Sequence, residues 1–182
     1  MTAFTGLRDF AVNELDRARG DLQRVGEPEV FRFRIDGTHL VRGSAALASL
    51  LAKVELSVPR SAIAIYYLQP VDTNEDAIAL IGVFFAETKQ KGDGRSRDNK
   101  RNSDVLYAGS SRKMSTRVRE HLGFCSRSTY ALKLSEWYPA ADLPLQLVCA
   151  VYPARTSAMV IGSLEDALWE RLRPMYGRKG AR

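Results

Sequence analysis

At Ser61 the chain changes its hydrophobic period, and that change limits the folds open to it. Before Ser61 apolar residues recur at helical spacing; after it they arrive in strand-sized blocks. Residues 62–68 (AIAIYYL), 77–86 (AIALIGVFFA), 104–109 (DVLYAG) and 145–152 (LQLVCAVY) are short runs rich in Ile, Val, Tyr and Phe, the composition that suits a pleated surface. Helical stretches punctuate them. One follows Ser110-Ser111 and ends near Leu122-Gly123, and a short one over residues 129–137 is stopped by Pro139. A last one runs to Leu172 and is stopped by Pro174. It begins near Ser157 or at Ser163, where Ser163 and Asp166 would form a capping box. This order predicts an α/β fold with a small antiparallel sheet of three or four strands flanked by helices.

The first 60 residues read as an N-terminal α/β extension. Phe4, Leu7, Ala11, Leu15, Ala18 and Leu22 step by three and four, so residues 3–24 form an amphipathic helix. Gly26 and Pro28 end it. Phe31, Phe33 and Ile35 alternate with Arg32, Arg34 and Asp36, the period of a half-buried strand, and Asp36-Gly37 is its turn. Ser44 caps a second helix to about Leu56, with Leu47, Leu50, Leu51 and Val54 inward. The main domain spans residues 61–177, interrupted by a basic insertion at about 88–103, and 178–182 form a basic tail.

Apolar residues at 45% and charged residues at 26% exclude disorder. No apolar run approaches the ~20 residues of a bilayer span, so no membrane partner is expected. Arg8 and Asp9 occupy the place where a signal peptide needs its apolar region. Two cysteines, Cys125 and Cys149, are too few for a disulfide framework, so reduced thiols and a cytoplasmic location are expected. The net charge of +6 permits a polyanionic partner. Its distribution is more telling: residues 88–103 hold Lys89, Lys91, Arg95, Arg97, Lys100 and Arg101 against Asp93 and Asp98. A cation run of this density would neutralise several phosphates.

Three constellations carry chemistry. Arg117 and His121 lie four residues apart on one helix, so they project from one face. Arg112, Lys113 and Arg119 share that segment, and Ser110 and Ser111 precede its N-terminus, an arrangement suited to an anion. Tyr66 and Tyr107 sit on apolar strands beside the small residues Ala64, Ala108 and Gly109, which allow close approach of a backbone or ligand. Glu165 borders the Leu164, Leu168, Leu172 stripe of the last helix.

Together these pieces resemble the GIY-YIG nuclease family. The first half-motif is Ala64-Ile65-Tyr66 and the second is Tyr107-Ala108-Gly109, followed by YAGSSRKMSTRVREHL and, in the last helix, LEDALWERLRPMY. The likeness covers residues 63–176. It implies a DNA endonuclease in which Glu165 holds a single divalent ion, Mg²⁺ or Mn²⁺, with water completing the shell. Tyr66 and Tyr107 would flank the scissile phosphate, and one would take a proton from the attacking water. Arg117 would clamp the phosphate and stabilise the transition state, and His121 would orient phosphate or water. Ser110, Ser111, Arg112, Lys113, Arg119 and the basic insertion would contact DNA. Cutting both strands with one site per subunit would favour a homodimer.

The departures from that pattern are Ala64 for a glycine, Ser110 where some relatives have lysine, and Gly177 where many have asparagine. A further departure is the long separation of the two tyrosines. Tyr67 competes with Tyr66 for the motif register, since neighbours on a strand face opposite ways. The alternative is a nucleic-acid-binding module without catalysis. A phosphate-binding arginine beside a lone carboxylate argues for a bridging cation and so against it. Ser110-x-x-Lys113 lacks the Lys-Thr-Gly of acylating enzymes, and His121 with Cys125 lacks partners for zinc.

Overall fold

The computed structural model describes residues 7–88 and 96–180. Its centre is a four-stranded antiparallel sheet: β1 (Glu29–Ile35), β2 (Ala62–Pro70), β3 (Tyr107–Ser111) and β4 (Leu145–Pro153), in the order β1-β4-β2-β3. The helices are α1 (Leu7–Arg24), α2 (Ala45–Ser57), α3 (Glu75–Thr88), α4 (Met114–His121) and α5 (Ala158–Leu172). The α/β class and the antiparallel sheet agree with the sequence pattern. β1 lies against β4 along its whole length, so the N-terminal segment supplies an edge strand to the same sheet. Among the described residues no helix is long and apolar enough to cross a membrane.

The pleat of β2 divides the interior. Ala64, Tyr66 and Leu68 face the large core, which holds Leu47, Leu50 and Val54 of α2, Ile81 and Phe85 of α3, and Met114 and Val118 of α4. Ile63 and Ile65 face a smaller cluster with Tyr152 and Ile161, against which Leu164 and Leu168 of α5 pack. Two layers of helix therefore enclose the sheet, as alternation along a strand buried on both sides requires. Tyr66 points into the large core and is 1% exposed, whereas Tyr67 takes the other face. That settles which tyrosine can meet α4.

Several local expectations hold with their physical cause. Ser44 caps α2 by accepting the Leu47 N–H at 3.1 Å. Ser157, not Ser163, caps α5 by accepting from Val160 N–H. The Ser163 hydroxyl instead donates to the Met159 carbonyl inside the helix, so the capping box at Ser163 is not formed. Leu51 is only half-buried on α2.

Two elements differ in kind. Residues 77–86, expected as a strand, lie within α3. The Asn74 side chain accepts the Ala77 N–H at 2.8 Å, Glu75 and Asp76 occupy the first turn, and the buried side chains Ala77, Ile78, Ile81 and Phe85 recur at helical spacing. Residues 129–137, expected as a helix, hold only a 3-10 turn at Leu134–Glu136, because Lys133 adopts φ 55° and ends any helical path. The backbone there bonds elsewhere: Leu132 N–H to the His121 ring and Leu132 C=O to Trp137 Nε1–H. The amphipathic stripe of α1 also behaves unexpectedly. No residue of α1 is buried, and Phe10 and Leu15 are about two-thirds exposed, at 65% and 64%.

α3 matters to the site through its aromatic contact. Phe85 stacks on Tyr176 at 4.0 Å and meets Trp137 edge-on at 5.0 Å. Burying each ring contributes about 2–3 kcal/mol. Met175 and Tyr176 N–H groups bond to the Val105 and Leu106 carbonyls. The chain at 175–177 is thereby held beside the start of β3, where Gly177 meets Tyr107.

Candidate active site

Four of the predicted residues meet on the large-core face. β2 delivers Tyr66, β3 delivers Tyr107, and α4 delivers Arg117 and His121. In the β2–β3 register Tyr66 lies opposite Gly109 and Leu68 opposite Tyr107, so both tyrosines share a face. Their rings stack with centroids 6.0 Å apart. Gly109 makes this approach possible: a Cβ there would lie 2.9 Å from Tyr107 Cε1 and 3.4 Å from both tyrosine hydroxyls. Gly177, at φ +105°, closes the other side, where a Cβ would lie 2.9 Å from Tyr107 Cε2. The Tyr107 ring is held between two glycines.

α4 supplies the donors. Arg117 Nε–H donates to Tyr66 Oη at 3.2 Å and Nη2–H donates to Tyr107 Oη at 3.1 Å. Nη1 donates to Glu120 Oε2 at 2.8 Å and to the Tyr130 carbonyl at 2.9 Å. His121 Nε2 lies 2.9 Å from Tyr66 Oη, and its Nδ1 accepts the Leu132 N–H at 3.2 Å. With Nδ1 accepting, the neutral ring carries its proton on Nε2 and donates to Tyr66. Tyr66 Oη therefore receives two N–H donors, and its own proton has no acceptor among the described residues.

The electrostatics follow from burial. Burial, then the charge of Arg117, pushes His121 well below its ordinary value, so the ring is neutral. Burial and Tyr107 push Tyr66 well above its ordinary value; Arg117 pulls it back, and Glu165 adds a smaller upward push. Burial opposes the charge on Arg117, but Tyr66, Tyr107 and Glu120 outweigh it and its pKa is raised, so it remains a cation. The arrangement holds a phenol with two donors already aimed at the charge that would form on losing its proton.

Glu165 does not join this hydrogen-bonded cluster. Ser110 pairs with Ile65 in the register, so its side chain lies on the α5 face of the sheet, and its hydroxyl donates to Glu165 Oε2 at 2.6 Å. Glu165 is half-buried, and its other oxygen has no partner among the described residues. The donor set is one carboxylate beside one hydroxyl. It fits a Mg²⁺ or Mn²⁺ ion that keeps most of its water and does not fit a dehydrated site of several protein ligands. Among the described residues no group of three His, Cys, Asp or Glu side chains converges as a metal cage. Cys125 Sγ lies 3.6 Å from the Glu120 carbonyl, and both His121 nitrogens are already engaged.

The basic residues spread outward. Arg112, Lys113 and Arg119 are exposed. Ser111 Oγ accepts the Lys113 N–H at 3.0 Å, and Arg112 Nη1 donates to the Ala154 carbonyl at 3.2 Å. Arg97 is exposed, with its N–H on the Tyr130 hydroxyl and its carbonyl accepting from Gly177 N–H. Lys100 pairs with Asp98 at 2.7 Å, and the Arg101 guanidinium lies 4.8 Å over the Trp169 ring. Lys89, Lys91 and Arg95 lie outside the described residues.

Three participants escaped the sequence reading: Glu120, the Tyr130 carbonyl, and Gly177 as the wall of Tyr107. Glu120 is legible afterwards as an i,i+3 partner of Arg117. The Tyr130 carbonyl has no sequence signal. No protein-family model, curated protein or solved structure matches the chain.

Proposed function

We propose that the protein is a metal-dependent endonuclease that hydrolyses DNA phosphodiester bonds, a GIY-YIG-type enzyme using Tyr66, Tyr107, Arg117, His121 and Glu165. The observation that carries this reading is the convergence of Arg117 Nε–H and His121 Nε2–H on Tyr66 Oη. A phenol resting protonated needs stabilisation only when it takes on charge, and both donors are placed for that moment. Tyr66 first gives up its own proton to solvent, and the resulting phenolate then accepts the proton of the attacking water. His121 stays neutral and holds the phenolate by its Nε2 hydrogen. Arg117, fixed by Glu120 and Tyr130, stabilises charge on the phosphate, and Tyr107 orients the guanidinium through its hydroxyl. Glu165, with Ser110 alongside, would hold a hydrated divalent ion, whose contribution when bound would be Lewis-acid stabilisation of charge on the phosphate. Two copies of the chain would serve two strands.

The test is cleavage of supercoiled plasmid and of branched or single-stranded DNA with and without Mg²⁺, comparing the wild type with Glu165→Gln. Metal-dependent cutting by the wild type and none by the variant is the expected result. Equal cutting by both overturns the assignment of Glu165.

A second reading, nucleic-acid binding without catalysis, has specific support: Tyr66 is 1% exposed, and Glu165 lies on the opposite face from the phenols. Retention of DNA by both proteins with no cutting by either would favour it.

A further inference from the structure

We propose that the outer face of α4, with the clefts on either side of it, is a track for the phosphodiester backbone of a nucleic acid, leading to the Arg117–Glu120 pair. The choice of polyanion rests on the nuclease reading; the track rests on the following geometry. One cleft, of about 220 Å³, lies between the end of α2 and the start of α4 and is lined by Glu55, Arg60, Arg112, Lys113 and Thr116 among others. The second, of about 410 Å³, is lined by Arg42, Thr116, Arg119, Glu120 and Phe124 among others. Thr116 is a wall of both, so the clefts meet across one exposed helix face.

The charge in the track is unbalanced. Its two carboxylates are already engaged: Glu55 with Arg60 at 3.1 Å and Glu120 with Arg117 at 2.8 Å. Arg42, Lys113 and Arg119 make no ion pair among the described residues. The Arg42 guanidinium sits 5.6 Å over the Phe124 ring, which fixes its position without cancelling its charge. Such a concave, positive surface concentrates polyanions.

The shape selects among polyanions. The large apolar residues in the clefts, Val58, Met114 and Phe124, are buried, so a lipid surface finds no apolar anchor there. An eight-residue helix spans about 12 Å, the axial rise of about three or four nucleotides at roughly 3.4 Å each along a duplex. Glu120 lines the second cleft and also holds Arg117, so a strand in the track ends where the candidate site begins. Arg42 and Arg60 come from the first 60 residues, which gives that segment a part in substrate binding.

The test is the salt dependence of binding to a short fluorescent duplex, measured by anisotropy with the metal chelated. Arg42→Ala/Arg119→Ala should reduce the slope of log affinity against log salt by about two and weaken binding about tenfold or more at ~0.1 M salt. Arg17→Ala/Arg19→Ala on α1 removes the same charge and should leave the slope unchanged. No binding by the wild type, an unchanged slope in the track variant, or an equal drop in the α1 variant overturns the track. Wild-type cleavage with an unmoved slope sinks the track and leaves the nuclease reading standing. The expected slope change without Mg²⁺-dependent cleavage supports the track and sinks the nuclease reading.

Discussion

The two faces of the sheet carry unlike halves of one candidate site. On the large-core face, Tyr66, Tyr107, Arg117 and His121 are joined by hydrogen bonds, closed in by Gly109 and Gly177, and anchored through Glu120 and the 130–132 backbone. On the α5 face, Glu165 has one hydroxyl neighbour and is half open to solvent. The first half is preorganised and costly to disturb, because its donors and the oxygens that accept from them are paired away from water. The second is sparse, which suits the hydrated cation proposed for it. Mutations on the two faces should therefore separate stability from activity.

The largest effect belongs to Arg117→Met. It leaves Glu120, the Tyr130 carbonyl and two phenols without their donor, and should cost about 3 kcal/mol in urea denaturation. A cost near zero would show that the cluster is not interlocked.

Gly177→Ala comes next. The new Cβ meets the Tyr107 ring at 2.9 Å from a backbone at φ +105°, which should cost about 2 kcal/mol. Gly109→Ala meets the same ring from the other side without the backbone strain and should cost less. If the two are indistinguishable from wild type by thermal melting, the ring is not clamped.

His121 gives a smaller, pH-dependent effect. Its pKa in the fold is well below 6.5, so the unfolded chain binds the proton first. The stability it confers is complete above about pH 6.5 and is lost as pH falls below that value. Between about pH 7 and about pH 5.5 the loss should be about 1 kcal/mol, and His121→Gln should remove this slope. A wild type that is equally stable at both values would contradict a neutral, buried ring.

The smallest effect lies on the other face. Glu165→Gln and Ser110→Ala should change stability by no more than about 0.5 kcal/mol while Glu165→Gln removes metal-dependent cleavage. A large loss of stability in either would erase the contrast between the faces.

The parts that sequence periodicity made legible were those whose burial is one-sided. The buried positions Leu47, Leu50 and Val54 of α2 and the alternation of β1 follow directly from spacing, and the Ser44 cap from local chemistry. α3 was misread because a short apolar run of Ile, Val and Phe carries strand propensity, and periodicity alone does not separate a buried helix from a strand. Asn74 followed by Glu75 and Asp76 was the signal to weigh. The irregular path of 129–137 depends on Leu132 bonding to a histidine eleven residues earlier, a tertiary demand that no local pattern carries. In the candidate site, the four residues on one face were legible as types and order, and strand register chose Tyr66 over Tyr67. That Glu165 approaches from the other face depends on the parity of Ser110 in β3, which only the pairing reveals.

Tyr66 Oη is the group on which the cluster converges. Tyr66→Phe keeps the ring and its packing and removes only that oxygen. Measured for Mg²⁺-dependent DNA cleavage and for DNA affinity side by side, it should lose activity by about a hundredfold or more at unchanged affinity. Cleavage at the wild-type rate would contradict a role for that oxygen in the reaction.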